Sequence, residues 1–205
     1  MTFPNIRAGA RREKRVAGTW FVVLALAFAT TLMQGCATPA SSVNMVARVS
    51  DSPAPREASL KDGITVRNVT GGSDTNPMWM SKVSNDDFKK ALEDSLKSAR
   101  LHEGGVPARY QLDATLLKLD QPVFGLDLTV TCTTQYDLLE AGSGKRVYTR
   151  TVTTPFTARV SDAFIAVERL RIANEGAVRE NIQQLLREIL ELDLAKSALV
   201  TPAAR

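Results

Sequence analysis

Two carboxylates and a guanidinium at helical spacing, Glu168, Arg171 and Glu175, followed by Arg179 and Glu180, are the residues best placed for chemistry in this chain. An enzyme acting on lipid or glycan, as an acyltransferase or a hydrolase, would use such carboxylates for proton transfer. The spacing i, i+3, i+7 lines one side of a helix, which is equally the layout of a solvated salt-bridge ladder. The setting separates the two. A deep pocket lined by Glu175 and Arg179 with shifted pKa values favours the enzyme, and full solvation of those groups removes it. Other candidates are few. His102 is the single histidine, with no Cys or Asp cluster at ligand spacing around it, so it forms no half of a metal site. It stands at the end of a helix, where a side chain can meet the last carbonyls. Gly142-Ser143-Gly144-Lys145 matches only the tail of a phosphate-binding loop, because Leu139 and Arg146 occupy the positions that need Gly and Ser or Thr, and a strand follows. It reads as a hairpin turn. Cys132 alternates with Leu128 and Val130 and reads as a small buried hydrophobe. No Ser lies in a G-x-S-x-G turn. No catalytic residue, metal or cofactor is expected.

The elements that would position these residues run strand, helix, three strands, long helix. Ile64 to Val69 alternates as a first strand closed by Gly71-Gly72. Ser84 and Asp87 form a carboxylate variant of the capping box, with Val83 and Phe88 as its hydrophobic staple. Behind them Phe88, Ala91, Leu92, Leu96 and Ala99 make one apolar stripe, and Gly104-Gly105 and Pro107 stop the helix. Tyr110, Leu112, Ala114 and Leu116 alternate with polar residues. So do Leu126, Leu128, Val130, Cys132, Tyr136 and Leu138, Thr134 being the one polar break. A hairpin at 141–144 leads into the strand 145–152. The last helix is expected from about Ser161 to Leu194, with Phe164, Val167, Leu170, Ala177, Val178, Ile182, Leu185 and Ile189 inward. Gly176 in its middle implies a bend or a close approach to the sheet. The expected fold is α+β, a two-layer sandwich with a mostly antiparallel four-stranded sheet and two helices on one face, in the order β-α-β-β-β-α.

The N-terminus has a different character. Arg7 to Arg15 is basic, and from Val16 to Gly35 no charged residue occurs, the densest apolar run being Trp20 to Phe28. That is the layout of a secretory signal, and the stretch is also close to the ~20 residues of a retained membrane helix. It ends in Leu32-Met33-Gln34-Gly35-Cys36, which resembles the lipobox of bacterial lipoproteins: a small residue, Gly35, stands directly before a Cys at the end of the apolar run. The resemblance implies that the chain is cut between Gly35 and Cys36 and that Cys36 is acylated on its sulfur and its new amine. Cys132 is then left without a disulfide partner. Each buried CH₂ contributes ~0.8 kcal/mol, so several acyl chains on Cys36 hold a protein on a membrane essentially permanently. Ala37 rather than Asp after the cysteine implies, by the family's sorting rule, the outer membrane, with the domain on its periplasmic face.

Residues 1–35 are therefore expected as a signal peptide, 36–62, rich in Ala, Ser and Pro, as a flexible tether, 63–195 as the sandwich domain and 196–205 as a disordered tail. The formal charge of +4 belongs to the first segment. Residues 1–35 hold five of the 26 Lys and Arg and one of the 22 Asp and Glu, which leaves 21 of each sign beyond them. A neutral domain has no electrostatic claim on nucleic acid. Two surface features suggest contacts. Met78, Trp79 and Met80 lie in a loop before the first helix and either plug one end of the sandwich or touch lipid or a partner. Thr129, Thr131 and Thr133, with Thr149, Thr151 and Thr153 if register permits, are either an ordinary exposed strand face or a docking face for an envelope protein. Arg169 to Ile182, with Asn76 to Trp79 and Asn85 to Leu92, is similar to a group of short proteobacterial lipoproteins of undetermined role, over most of residues 60–192. Some of these carry acyltransferase names, but the hexapeptide repeats and histidine context of sugar-nucleotide acyltransferases are missing here. The order of elements is also similar to that of envelope assembly and transport-accessory lipoproteins. These likenesses imply a non-catalytic, membrane-tethered module that binds a protein or another envelope component.

Overall fold

The computed structural model describes residues 38–49, 54–73, 82–102, 107–122 and 124–194. The expectations for the signal, for Gly35 and Cys36, for Met78, Trp79 and Met80 and for the tail from 196 fall outside these residues. Among the described residues the elements are α1 (Ser42–Met45), a 3₁₀ turn (Ala58–Leu60), β1 (Ile64–Thr70), α2 (Asn85–Ser98), β2 (Tyr110–Asp120), β3 (Leu128–Glu140), β4 (Arg146–Ala158) and α3 (Ala166–Leu190). Among the described residues no helix is long and apolar enough to cross a membrane.

The four strands form one sheet in the order β1-β2-β3-β4. β2, β3 and β4 pair antiparallel, as their alternation suggests, but β1 and β2 pair parallel, so the sheet is mixed. The reason lies in α2. Its 14 residues span about 21 Å at about 1.5 Å each, close to the ~23 Å covered by the seven residues of β1. The helix therefore returns the chain to the end where β1 began, and β2 sets out in the same direction. Leu112, Ala114, Leu128, Val130, Cys132, Tyr136 and Leu138 point into a single core with the apolar faces of α2 and α3. Bulges at Arg67 and Leu117 reset the alternation, which is why Val69 is buried while Leu117 turns outward.

At the start of α2 the Ser84 hydroxyl accepts from the Asp87 amide at 3.1 Å and donates to the Asp87 carboxylate at 2.6 Å, so the expected cap forms. The helix ends earlier than Gly104: Arg100 takes a left-handed conformation (φ 58°) directly after it. Arg159 and Asp162 close a turn on each other, and Arg169 donates to the carbonyls of Ala163 and Phe164. Consequently α3 begins at Ala166 rather than Ser161, and Phe164, expected inward, faces out. The close approach at Gly176 is present, since a Cβ there would lie 2.2 Å from the Phe156 ring.

The largest departure concerns the expected tether. Ala40, Met45 and Ala47 are buried in the core. The Ala47 amide donates to the Ser95 hydroxyl and the Ala47 carbonyl accepts from the Ser98 hydroxyl, both on α2. Ser41, Asn44 and Arg56 bond to α3 and its end. Residues 38–49 and 54–62 are thus part of the domain rather than a flexible spacer. Polar Ser and Asn are present here because they spend their groups on the two long helices, and α1 adds a third helix to the two expected.

Candidate functional site

The carboxylates singled out by spacing come together, but in a structural setting. The Arg171 guanidinium donates through Nε and Nη2 to Glu168 and through Nη1 to Glu175 Oε1 at 2.6 Å. Hydrogen bonding to Arg171 holds the Glu168 carboxyl below the usual range, and the same bond holds Arg171 above its own. Glu175 is only 3% exposed. Its two oxygens also accept from the Ser41 amide at 2.8 Å and the Asn44 side chain at 3.0 Å. The Ser41 amide opens α1, so a carboxylate of α3 serves as the cap that α1 lacks in its own sequence. Arg179 donates to the Asn44 carbonyl at 2.8 Å and lies 5.5 Å from the centre of the Phe156 ring. Glu180 is half-buried on the same helix. The ladder is neither fully solvated nor open to a substrate, because its central groups are occupied in holding α1.

A second polar centre was not legible from motif spacing. Asn181 is fully buried, accepts from the Tyr136 hydroxyl at 2.9 Å and donates toward the carbonyls of Cys132 and Val152 and the Thr154 hydroxyl at 3.0–3.1 Å. It ties α3 to both β3 and β4. The signal available was its position: an amide in step with Val178, Ile182 and Leu185 on an apolar stripe must find partners inside. Burial also pushes the Tyr136 hydroxyl well above its usual pKa and the Cys132 thiol up to about 11. A thiol so disposed is core packing, not a nucleophile.

His102 sits beside β1, where Nδ1 donates to the Ile64 carbonyl at 2.7 Å, rather than on the carbonyls of α2. The stretch Gly142-Ser143-Gly144-Lys145 is the hairpin turn between β3 and β4, with Gly144 at φ +68°. Among the described residues no group of three or more His, Cys, Asp or Glu side chains could hold a metal ion.

The outer face of the sheet carries Thr129, Thr131 and Thr133 beside Thr149, Thr151 and Thr153, all on one side. Thr133 pairs with Thr153 and Thr129 with Thr157, and these hydroxyls bond across the strands at 3.2 and 2.8 Å. Asp137 receives Thr149 and Arg146 on the same face. The register therefore joins the two threonine rows into one polar surface. A cleft of about 240 Å³ lies elsewhere, at the C-terminal ends of β1 and β2, between Gly71, Lys82, Leu117, Lys118 and Gln121.

An α+β sandwich with one open polar face is the class this geometry defines. No family model matches the sequence, and no curated protein matches it. Among solved structures the fold is similar to that of a Xanthomonas campestris protein of the DUF330 family, with a TM-score of 0.52 and 13% identity over 76% of this chain and 95% of that one. A candidate lipoprotein from Caulobacter crescentus aligns at 16% identity and a TM-score of 0.46, over 71% of this chain and 97% of that one. A minor lipoprotein from Acinetobacter baumannii aligns at 12% identity and a TM-score of 0.42, over 63% and 93%. The likeness to the Xanthomonas protein establishes a shared fold.

Proposed function

We propose that this chain is a lipid-anchored module of the bacterial cell envelope, held by acyl chains on Cys36 at the periplasmic face of the outer membrane, and that it acts by binding an envelope protein rather than by catalysis. The observation that carries the reading is the run Leu32-Met33-Gln34-Gly35-Cys36 at the end of an uncharged stretch, in front of a formally neutral domain. The commitment of Glu175 and Arg179 to α1, and of Arg171 to Glu168 and Glu175, supports a non-catalytic role, because those groups were the best candidates for acid–base work. Binding is assigned to the open threonine face around Thr129, Thr131 and Thr133, with Met78, Trp79 and Met80 as further contacts.

Metabolic labelling with palmitate tests the anchor. The natural chain should take up label and stay with membranes, and Cys36→Ser should lose both; uptake by the Cys36→Ser chain rejects the anchor. In-cell crosslinking from Thr131 tests the partner, one dominant protein adduct being the expected outcome.

A further inference from the structure

Four of the six large apolar side chains that stand exposed among the described residues gather at one end of the domain, the other two being Val43 on α1 and Leu117 on β2. Phe124 and Leu126 are 88% and 79% exposed in the β2–β3 loop, and Phe164 and Ile165 are 89% and 67% exposed in the β4–α3 loop. The two loops touch, since the Val160 amide donates to Asp127 at 3.1 Å. Leu117, turned out by its bulge, lines the cleft at the end of β2, which also includes Gln121 just before the β2–β3 loop. The opposite end, with the 141–145 hairpin and the last turn of α3, exposes no such side chain among the described residues. Single exposed apolar residues are ordinary, whereas a cluster on one end marks a contact.

The start of the domain lies at the same end. The Ala40 amide donates to the Lys82 carbonyl, and Lys82 lines the cleft with Lys118 and Gln121, where the β2–β3 loop begins. Ala40 is the first of the described residues to be buried. From Cys36 to Ala40 there are four residues, which span at most about 14 Å when fully extended. A domain hung on Cys36 therefore cannot stand away from the membrane on a long spacer, and the end nearest Ala40 is the end that meets the lipid.

We propose that the β2–β3 and β4–α3 loops rest in the headgroup–acyl boundary of the membrane that holds Cys36, with Phe124, Leu126, Phe164 and Ile165 inserted. This rests on the lipid anchor at Cys36 proposed above. Insertion of a few apolar side chains is too weak to recruit a protein from solution, but beside a lipid anchor it becomes intramolecular and fixes orientation. The sheet is then presented with its threonine face at the side and the 141–145 hairpin pointing away from the bilayer.

The test uses the full acylated chain in vesicles of phosphatidylethanolamine and phosphatidylglycerol. Phe164→Cys, Phe124→Cys and Gly142→Cys each carry one environment-sensitive fluorophore, Cys132 being buried and Gly142 facing open space. Lipid spin-labelled close to its headgroup should quench the probes at 164 and 124 about threefold or more beyond the probe at 142, with blue-shifted emission at 164 and 124. Equal quenching at all three sites in a protein that still sediments with the vesicles overturns the docked end and leaves the anchor standing. A blue shift without lipid quenching means that a second copy or another protein covers the end, which also overturns it. If the natural chain neither takes up palmitate nor sediments, both the anchor and the docking fail.

Discussion

Replacing Gly176 by alanine sets two effects of opposite sign against each other. In an exposed helix interior the change stabilises by about 1 kcal/mol. Here the new methyl would lie 2.2 Å from Cδ1 and 2.4 Å from Cγ and Cε1 of Phe156 on β4. Carbon atoms in contact sit about 3.5–4.0 Å apart, so the overlap exceeds an ångström. Cγ lies on the χ2 axis, and turning the ring about that axis leaves the overlap in place. The side chain must leave its χ1 well, or α3 must lift from β4. Overpacking of this kind costs about 1–3 kcal/mol, and an overlap this deep belongs at the upper end, for a net loss of about 2 kcal/mol. Urea unfolding followed by circular dichroism measures it. In a Phe156→Ala background the methyl has room, and Gly176→Ala should then stabilise by about 1 kcal/mol, giving a coupling of about 3 kcal/mol across the cycle. Stabilisation in the natural background, or the same effect in both, refutes the claim that the approach of α3 to β4 demands glycine at 176.

Glu175→Ala should lose about 3 kcal/mol, as buried pairs do when one partner is removed, and amide exchange at residues 41–47 should rise far more than in β3; uniform exchange would contradict the capping role of Glu175. Asn181→Leu strands the Tyr136 hydroxyl and should cost about 2 kcal/mol, part of which Tyr136→Phe restores in the same chain; no recovery would show that the Tyr136–Asn181 bond is not the source. Stability should also fall in alkali. The Cys132 thiol, pushed up to about 11 from 9.0, keeps its proton in the folded chain where the unfolded chain has lost it. The resulting loss is absent below pH 9, grows between pH 9 and about 11 and amounts to about 2–3 kcal/mol. Cys132→Ala should remove that part of the slope in denaturant titrations, while Tyr136 and Tyr148, also raised by burial, keep a further decline at higher pH. An unchanged slope in Cys132→Ala would place the thiol in solvent.

Where one physical rule acts alone, the elements follow from local pattern. Strict alternation located the inner faces of β2 and β3, and Ser84 with Asp87 located the start of α2. Gly176 announced the close approach that Phe156 makes. The parallel pairing of β1 with β2 was also implicit, since one helix between two strands returns the chain to its start, yet alternation alone suggested antiparallel neighbours. Phe164 misled because its apolar character extends the stripe of α3 by one turn, whereas Arg169 fixes the preceding carbonyls and turns Phe164 and Ile165 outward. The segment 38–49 misled for a different reason. Its Ala, Ser and Asn have the composition of a linker, and the partners that give those groups something to bond lie on α2 and α3, 48 to 135 positions away. The ladder of Glu168, Arg171 and Glu175 was visible as a spacing, but whether it faced water, substrate or the chain itself depended on those same distant contacts.

The dependence of α1 on α3 orders events in time. Ser41 and Glu175 are 134 positions apart, and at about 5–20 residues per second a chain needs roughly 7–27 s to extend that far. Until Glu175 and Arg179 have been made and folded, α1 has no carboxylate to close on, and only the bonds of Ala47 to α2 are available to the segment. The segment that comes first in the chain is therefore seated last.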